Sequence, residues 1–261
     1  MNFYKFTFEV YLMTTKDAVL EALEKEKGNY LSGQFLAECC GVSRNAIWKN
    51  INELRKDGYQ IQSVNNKGYM LEMDNNIISK AGICMYLENM NNESFKAYDY
   101  SRLNVFDQID STNIEAKRNI LMGNREHGNV IVAKSQTSGR GHGGSDFSSP
   151  DGGVYLSIIL NPDEIDKNSD NITFSIKEIV SQIIEEYYNV SLEDGKYSSL
   201  YIGSQKVCGI LTEGIVDLET GKFSNYIVGV GIRTAELEKI SGLRPEKNMV
   251  IADLIRKIYL I

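Results

Sequence analysis

Apolar residues recur at helical spacing in three short stretches near the start of the chain, and the pattern then switches to alternation. Residues 15–26 (TKDAVLEALEKE) place Val19, Leu20 and Leu23 on one face, with Thr15 as the N-cap. Ser32 caps a second helix that turns Phe35, Leu36 and Ala37 inward, and Gly41 suits the tight turn that follows. Ser43 caps a third helix, SRNAIWKNINELRKDG, which stops at Gly58. Its Ala46, Ile47, Ile51 and Leu54 point to a core, and Trp48 reads as a partly buried packing residue rather than a base contact. From Tyr59 to Leu71 the chain alternates and turns at Asn65-Asn66-Lys67-Gly68, which predicts a two-stranded wing. The order is that of a winged helix-turn-helix over 15–72. Arg44, Asn45, Lys49 and Asn52 are left on the outer face of the third helix, and Lys67 at the wing tip. Those are the places where such a module meets bases and phosphates. A helix-turn-helix used only for protein contacts is the alternative.

Past this module the pattern predicts a linker and connecting helix over 73–103 and a second domain over 104–261. Asp110-Ser111-Thr112-Asn113 leads into a helix beginning near Ile114. The stretch Gln136-Thr137-Ser138-Gly139-Arg140-Gly141-His142-Gly143-Gly144 holds four glycines around one guanidinium. That makes a poor helix and a poor strand, but a good loop whose N–H groups can fold over an anionic or polar ligand. Such a loop is expected to order around its ligand. Lys206 follows the turn Ile202-Gly203-Ser204-Gln205, Gly229 and Gly231 interrupt an apolar strand, and a last helix spans Asn248–Ile258. Taken singly, these features also fit a helix cap, a turn lysine and bulge glycines.

Charge separates the two parts. Residues 1–72 hold nine basic and nine acidic residues, so the whole net charge of −7 falls on the remainder. An acidic body argues against nucleic-acid binding beyond residue 72. A chain of 261 residues can bury two cores. No apolar run approaches the roughly 20 residues that span a bilayer, and the first residues lack a signal peptide's basic start. Residues 1–14 read as an N-terminal extension, with Met13 an equally good start. Cys39, Cys40, Cys84 and Cys208 show no CxxC spacing, so neither a metal site nor a disulfide framework is indicated. Reduced thiols and a cytoplasmic location are the plain expectation.

Residues 15–71 resemble the N-terminal domain of the bifunctional biotin–protein ligase/biotin operon repressor family. The similarity continues in order through Asp110–Asn113, Gln136…Gly139-Arg140-Gly141, Gly152–Ser157, Lys206–Glu213 and Val228–Ile232. The resemblance implies an α+β chain, in which the winged module is followed by a mixed-sheet domain related to class II synthetases and lipoate ligases. It implies biotin as ligand, with Ser111, Thr112, Asn113, Gln136, Gly139, Arg140, Gly141, Gly209, Gly229 and Gly231 around it. It also implies adenylate chemistry at Arg140, His142, Phe147 and Lys206, with ATP and Mg needed only where ligase activity survives. Operator DNA, a homodimer and, for a ligase, the biotin carboxyl carrier protein are the implied partners. The departures lie on the nucleotide side. His142 to Phe147 replace further basic residues and a tryptophan, leaving Phe147 to stack on adenine; Gly195–Ser199 replace a Lys-Trp-Pro-Asn-Asp strand; Arg233 replaces an asparagine. The family's C-terminal β-barrel has no counterpart before Ile261. The expectation is therefore a biotin-responsive DNA-binding regulator with weakened or lost ligase chemistry, and the alternative is an active bifunctional ligase and repressor.

Overall fold

The computed structural model describes residues 14–90, 95, 98–165 and 172–261, so the expected N-terminal extension lies outside them except for Thr14. The chain divides into two compact units, one ending at Tyr86 and the other starting at Leu87. The boundary falls within α4 (Lys80–Asn89), inside the stretch read as linker and connecting helix.

The first unit contains α1 (Thr15–Lys25), α2 (Gly33–Cys40), α3 (Arg44–Lys56), β1 (Ile61–Val64) and β2 (Gly68–Leu71). Each helix starts on a side-chain cap. Thr14, not Thr15, caps α1: its hydroxyl accepts from the Asp17 N–H while the Asp17 carboxylate reaches back to the Thr14 N–H. That reciprocal box needs an acid three residues past the cap, which Asp17 supplies only for Thr14, and removing such a cap costs about 1 kcal/mol. Ser32 and Ser43 cap α2 and α3 by accepting from Phe35 and Ala46. Gly41 ends α2 at φ 65°, a left-handed conformation that glycine adopts without strain. Val19, Leu20, Leu23, Leu36, Ala37, Ile47, Ile51 and Leu54 form one core beneath the wing. Phe35, expected inside, is 42% exposed, and Trp48, expected to be partly buried, is 58% exposed. Both lie beyond the edge of the apolar stripe, which Leu36, Ile47 and Ile51 already fill. Ala46 is half-buried.

In the second unit β3 (Leu103–Ile109), α5 (Thr112–Leu121) and β4 (Asn129–Gln136) make a parallel β-α-β crossover. Then come β5 (Val154–Leu160), α6 (Ile172–Tyr188), β6 (Glu193–Asp194), β7 (Ser199–Ile202), β8 (Gln205–Val216), β9 (Phe223–Ile232), α7 (Thr234–Ser241) and α8 (Lys247–Tyr259). The strands form one mixed sheet of order β3-β4-β5-β9-β8-β7-β6, in which only β3 and β4 run parallel. The fold is α+β. Every residue of β5 is buried, as expected for a central strand covered on both faces. On one face α5 packs Ala116 against Ile131, Ile159 and Ile227. The alternate residues of β5 point to the other face, where α8 packs against the strand. No helix among the described residues is long and apolar enough to cross a membrane.

Candidate functional site

Cross-strand pairing on the α5 face builds the site. Ile131, Ser157, Gly229 and Leu211 lie directly opposite one another across β4, β5, β9 and β8, and Ala133, Tyr155, Gly231 and Gly209 form the next row. Two rows with three glycines leave a trough in an otherwise apolar surface. A cavity of about 210 Å³ opens there, lined among others by Ser111, Thr112, Asn113, Gln136, Arg140, Gly141, His142, Phe147, Lys206, Gly209, Gly229 and Gly231. Twelve residues singled out from the sequence thus converge on one cavity. Gly139 alone is set back, between the Phe147 carbonyl and the Ser149 hydroxyl.

The floor of the cavity is a continuous hydrogen-bond network. Gln136 accepts at Oε1 from the Thr112 N–H (2.8 Å) and hydroxyl (3.2 Å), and donates through Nε2 to Ser149 (2.8 Å). Ser157 Oγ lies 2.7 Å from Thr112 Oγ1 and 2.6 Å from Asn113 Oδ1. With one proton it donates to only one of them at a time. Asn113 Nδ2 donates to Glu213 (2.8 Å), which is paired in turn with Lys117 (2.8 Å). Ser111, Thr112, Asn113 and Ser157 are all buried. Ser111 is in N-cap position of α5, which begins at Thr112 rather than near Ile114, yet its side chain makes no cap bond. Its hydroxyl has no protein partner among the described residues and faces the cavity.

The glycines of the trough make room for side chains. A Cβ on Gly229 would come 2.2 Å from Asn113 Oδ1. On Gly209 and Gly231 it would come 2.7 and 2.4 Å from the ring of Phe147. Phe147 is therefore seated on a glycine shelf and buried, rather than standing free on its loop. The loop that carries it is a small hairpin: Phe147 N–H donates to the Gly139 carbonyl (2.9 Å) and Gly141 N–H to that of Ser145 (2.7 Å).

The rim is charged and aromatic. Arg140 Nη1 lies 3.1 Å from Asp146 Oδ1, so the guanidinium expected to grip an anion is already paired within its own loop. The His142 ring stacks on Tyr197 at 4.4 Å and 9°. Tyr197 and Ser198 hold φ of 56° and 53°, a strain of order 1 kcal/mol each for side chains of this kind. Lys206 Nζ and Arg233 Cζ stand 5.4 and 5.6 Å from the Phe147 centroid. Burial, with the Arg233 charge second, holds the Lys206 pKa below the ordinary 10.5. Lys196 is exposed and outside the cavity; Tyr197 and Ser199 of the same segment line it.

Sequence reasoning passed over Ser157, Ser149, Glu213 and Tyr197. Ser157 left a signal: it is the one serine in the run VYLSIIL, and a buried strand admits a serine only where it has a partner.

In the first unit Arg44, Asn45, Lys49 and Lys67 are exposed. Asn52 is half-buried and accepts from Arg55 (3.4 Å). Arg55 also donates to the Ile61 carbonyl (2.9 Å), tying α3 to the wing, and Lys67 sits over the Tyr30 ring at 5.6 Å.

Residues 15–70 match an HTH domain model, and residues 105–232 match the model of the biotin/lipoate A/B protein ligase family. The bifunctional ligase/repressor BirA of Bacillus subtilis is 29% identical over 220 residues, a match covering 84% of this chain and 65% of that protein. Its Escherichia coli namesake is 26% identical over 245 residues, covering 88% and 72%. A biotin protein ligase from Aquifex aeolicus, solved with biotin and ATP, is similar over 60% of this chain and 68% of that one, with 26% identity and a TM-score of 0.49.

Proposed function

This chain carries an HTH domain and a domain of the biotin/lipoate A/B protein ligase family, and from that premise we propose that it is a biotin-responsive DNA-binding regulator whose ligase chemistry is weakened. The observation that carries the reading is the floor of the cavity: a buried, mutually satisfied set of hydroxyl and amide groups with one hydroxyl, on Ser111, left over. A ureido ring both donates and accepts, and such a floor offers it both. Ser111, Thr112, Asn113 and Gln136 take the ring. Gly141, Gly209, Gly229 and Gly231 shape the walls, and Gly139 hinges the loop. Weakened chemistry is inferred from Arg140 held by Asp146 and from Phe147 lying on the shelf.

Arg44, Asn45, Lys49, Asn52 and Lys67 are assigned to operator DNA, with two copies of the chain on a palindromic site. Lys49→Ala is expected to weaken binding to duplex DNA of any sequence and to lower the salt slope by about one.

The second reading, an active ligase using ATP and Mg to form biotinyl-5′-AMP for a carrier-protein lysine, is favoured by Lys206, which lines the cavity and has no carboxylate partner among the described residues. Titration calorimetry with biotin, alone and then with Mg-ATP, separates the two. Biotin binding unchanged by ATP, with no pyrophosphate formed, is the expected result. Binding that tightens sharply and releases pyrophosphate establishes the ligase, and no heat with biotin at all removes both.

A further inference from the structure

Arg233 was not among the residues assigned to the cavity, and its surroundings give it a role. It follows β9 two residues after Gly231, and its N–H still donates to the Val207 carbonyl (2.8 Å), continuing the β9–β8 pairing. Two residues along a strand return a side chain to the same face, so Arg233 projects toward the shelf, with its Cζ 5.6 Å from the Phe147 centroid. Lys206 reaches the same ring from β8, with Nζ at 5.4 Å, and its stem lies 3.4 Å from where a Cβ on Gly209 would be. Two strands therefore deliver two cations to one aromatic ring.

Neither cation is neutralised. No carboxylate among the described residues is within ion-pair distance of Lys206 or Arg233, and neither side chain makes a hydrogen bond to a described residue. Half-buried like charges repel, and Arg233 disfavours the charged form of Lys206. Such a pair is tolerated at a site that works with an anion between its members. Arg140 is paired with Asp146 within its own loop.

We propose that Arg233 joins Lys206 in a two-cation subsite beside the glycine shelf, which takes the phosphate of an acyl-adenylate. This rests on the biotin reading above. The guanidinium grips two phosphate oxygens with parallel N–H groups, and the ammonium adds a point charge from the neighbouring strand. Arg233 is thus a determinant of affinity for the phosphate-bearing, activated ligand over an uncharged analogue of it.

The test is calorimetry of the full chain with biotinyl-5′-AMP and with the neutral alcohol biotinol, in wild type, Arg233→Gln and Arg233→Lys. The expected result is a loss of about 10- to 100-fold in adenylate affinity for Arg233→Gln, with biotinol unchanged and partial recovery in Arg233→Lys. Adenylate affinity equal in wild type and Arg233→Gln overturns the subsite and leaves the biotin reading standing. If wild type binds neither compound, the biotin reading fails and inorganic pyrophosphate decides the subsite. Binding by wild type but not by Arg233→Gln upholds it, and equal binding, or none by either, overturns it.

Discussion

The floor and the rim of the cavity are built on opposite rules. On the floor, Gln136, Thr112, Ser157, Asn113 and Glu213 hold one another in a continuous chain of hydrogen bonds, with Thr112, Ser157 and Asn113 buried at its middle. At the rim, Lys206 and Arg233 share a ring and have no counter-ion among the described residues, while Arg140 faces solvent with its partner Asp146. A buried polar network is rigid because breaking any member leaves a neighbour unsatisfied in a low-dielectric setting. An exposed ion pair is held by little, about 0–1 kcal/mol. The floor is thus pre-organised for a neutral hydrogen-bonding group, and the rim carries the charge that the proposed subsite assigns to an anion. On that proposal the two ends of one ligand are met by different physics.

The largest effect that would break this contrast is expected at Gly229. Its alanine variant drives a Cβ into Asn113 Oδ1, a buried atom already bonded to Ser157. Gly229→Ala should lower stability by about 1–3 kcal/mol and abolish biotin binding. A variant that melts normally and titrates biotin as wild type does would show that the floor is not the recognition element. Next comes the shelf. Gly231→Ala collides with the Phe147 ring, so combined with Phe147→Ala it should cost little beyond Phe147→Ala alone. The expected coupling in a denaturation cycle is about 1–2 kcal/mol; strictly additive losses would mean that the ring does not need the glycine. A smaller change is expected at Asp146. Asp146→Ala frees Arg140 and removes a negative charge from the rim, and should raise affinity for biotinyl-5′-AMP by about two- to fivefold, read by calorimetry. A drop instead would make Asp146 a ligand-positioning group.

The smallest concerns the entry to α5, where the Arg118 guanidinium, and after it the Ser111 N–H, hold the Asp110 carboxyl below its ordinary 3.8. A lowered carboxylate contributes stability that is fully present above 3.8 and is lost as pH falls through the folded-state value. A carbon-detected NMR titration should place the Asp110 midpoint below 3.8 in wild type and move it upward in Arg118→Ala. An unmoved midpoint would exclude the pair as the cause.

Much of the molecule was legible from its residues. The serine caps of α2 and α3, the αL glycine at 41 and the wing turn all rest on interactions within about four residues. The last helix, read as 248–258, spans Lys247–Tyr259 for the same reason. Thr15 was taken for the cap because it adjoins the apolar pattern; the deciding feature was the distance from Thr14 to Asp17. Phe35 differs from the expectation because an apolar side chain just off a helix's stripe is placed by what its neighbours have already filled. The twelve cavity residues were found through ordered motifs, yet their contacts were not. Nothing in the sequence says that Gly209 and Gly231 seat Phe147 while Gly229 seats Asn113.

By itself, then, the sequence determined the helices of the winged module, their caps and turns, and which residue types gather for a ligand. Each depends on local periodicity or on the chemistry a short motif carries. Only the tertiary structure decided which groups are already satisfied and which are left open: Asn113 bonded to Glu213 a hundred residues away, Arg140 paired with Asp146, Lys206 and Arg233 brought to one ring with no counter-ion among the described residues. Satisfaction and charge balance belong to neighbours in space, and strand register, not spacing along the chain, makes residues neighbours.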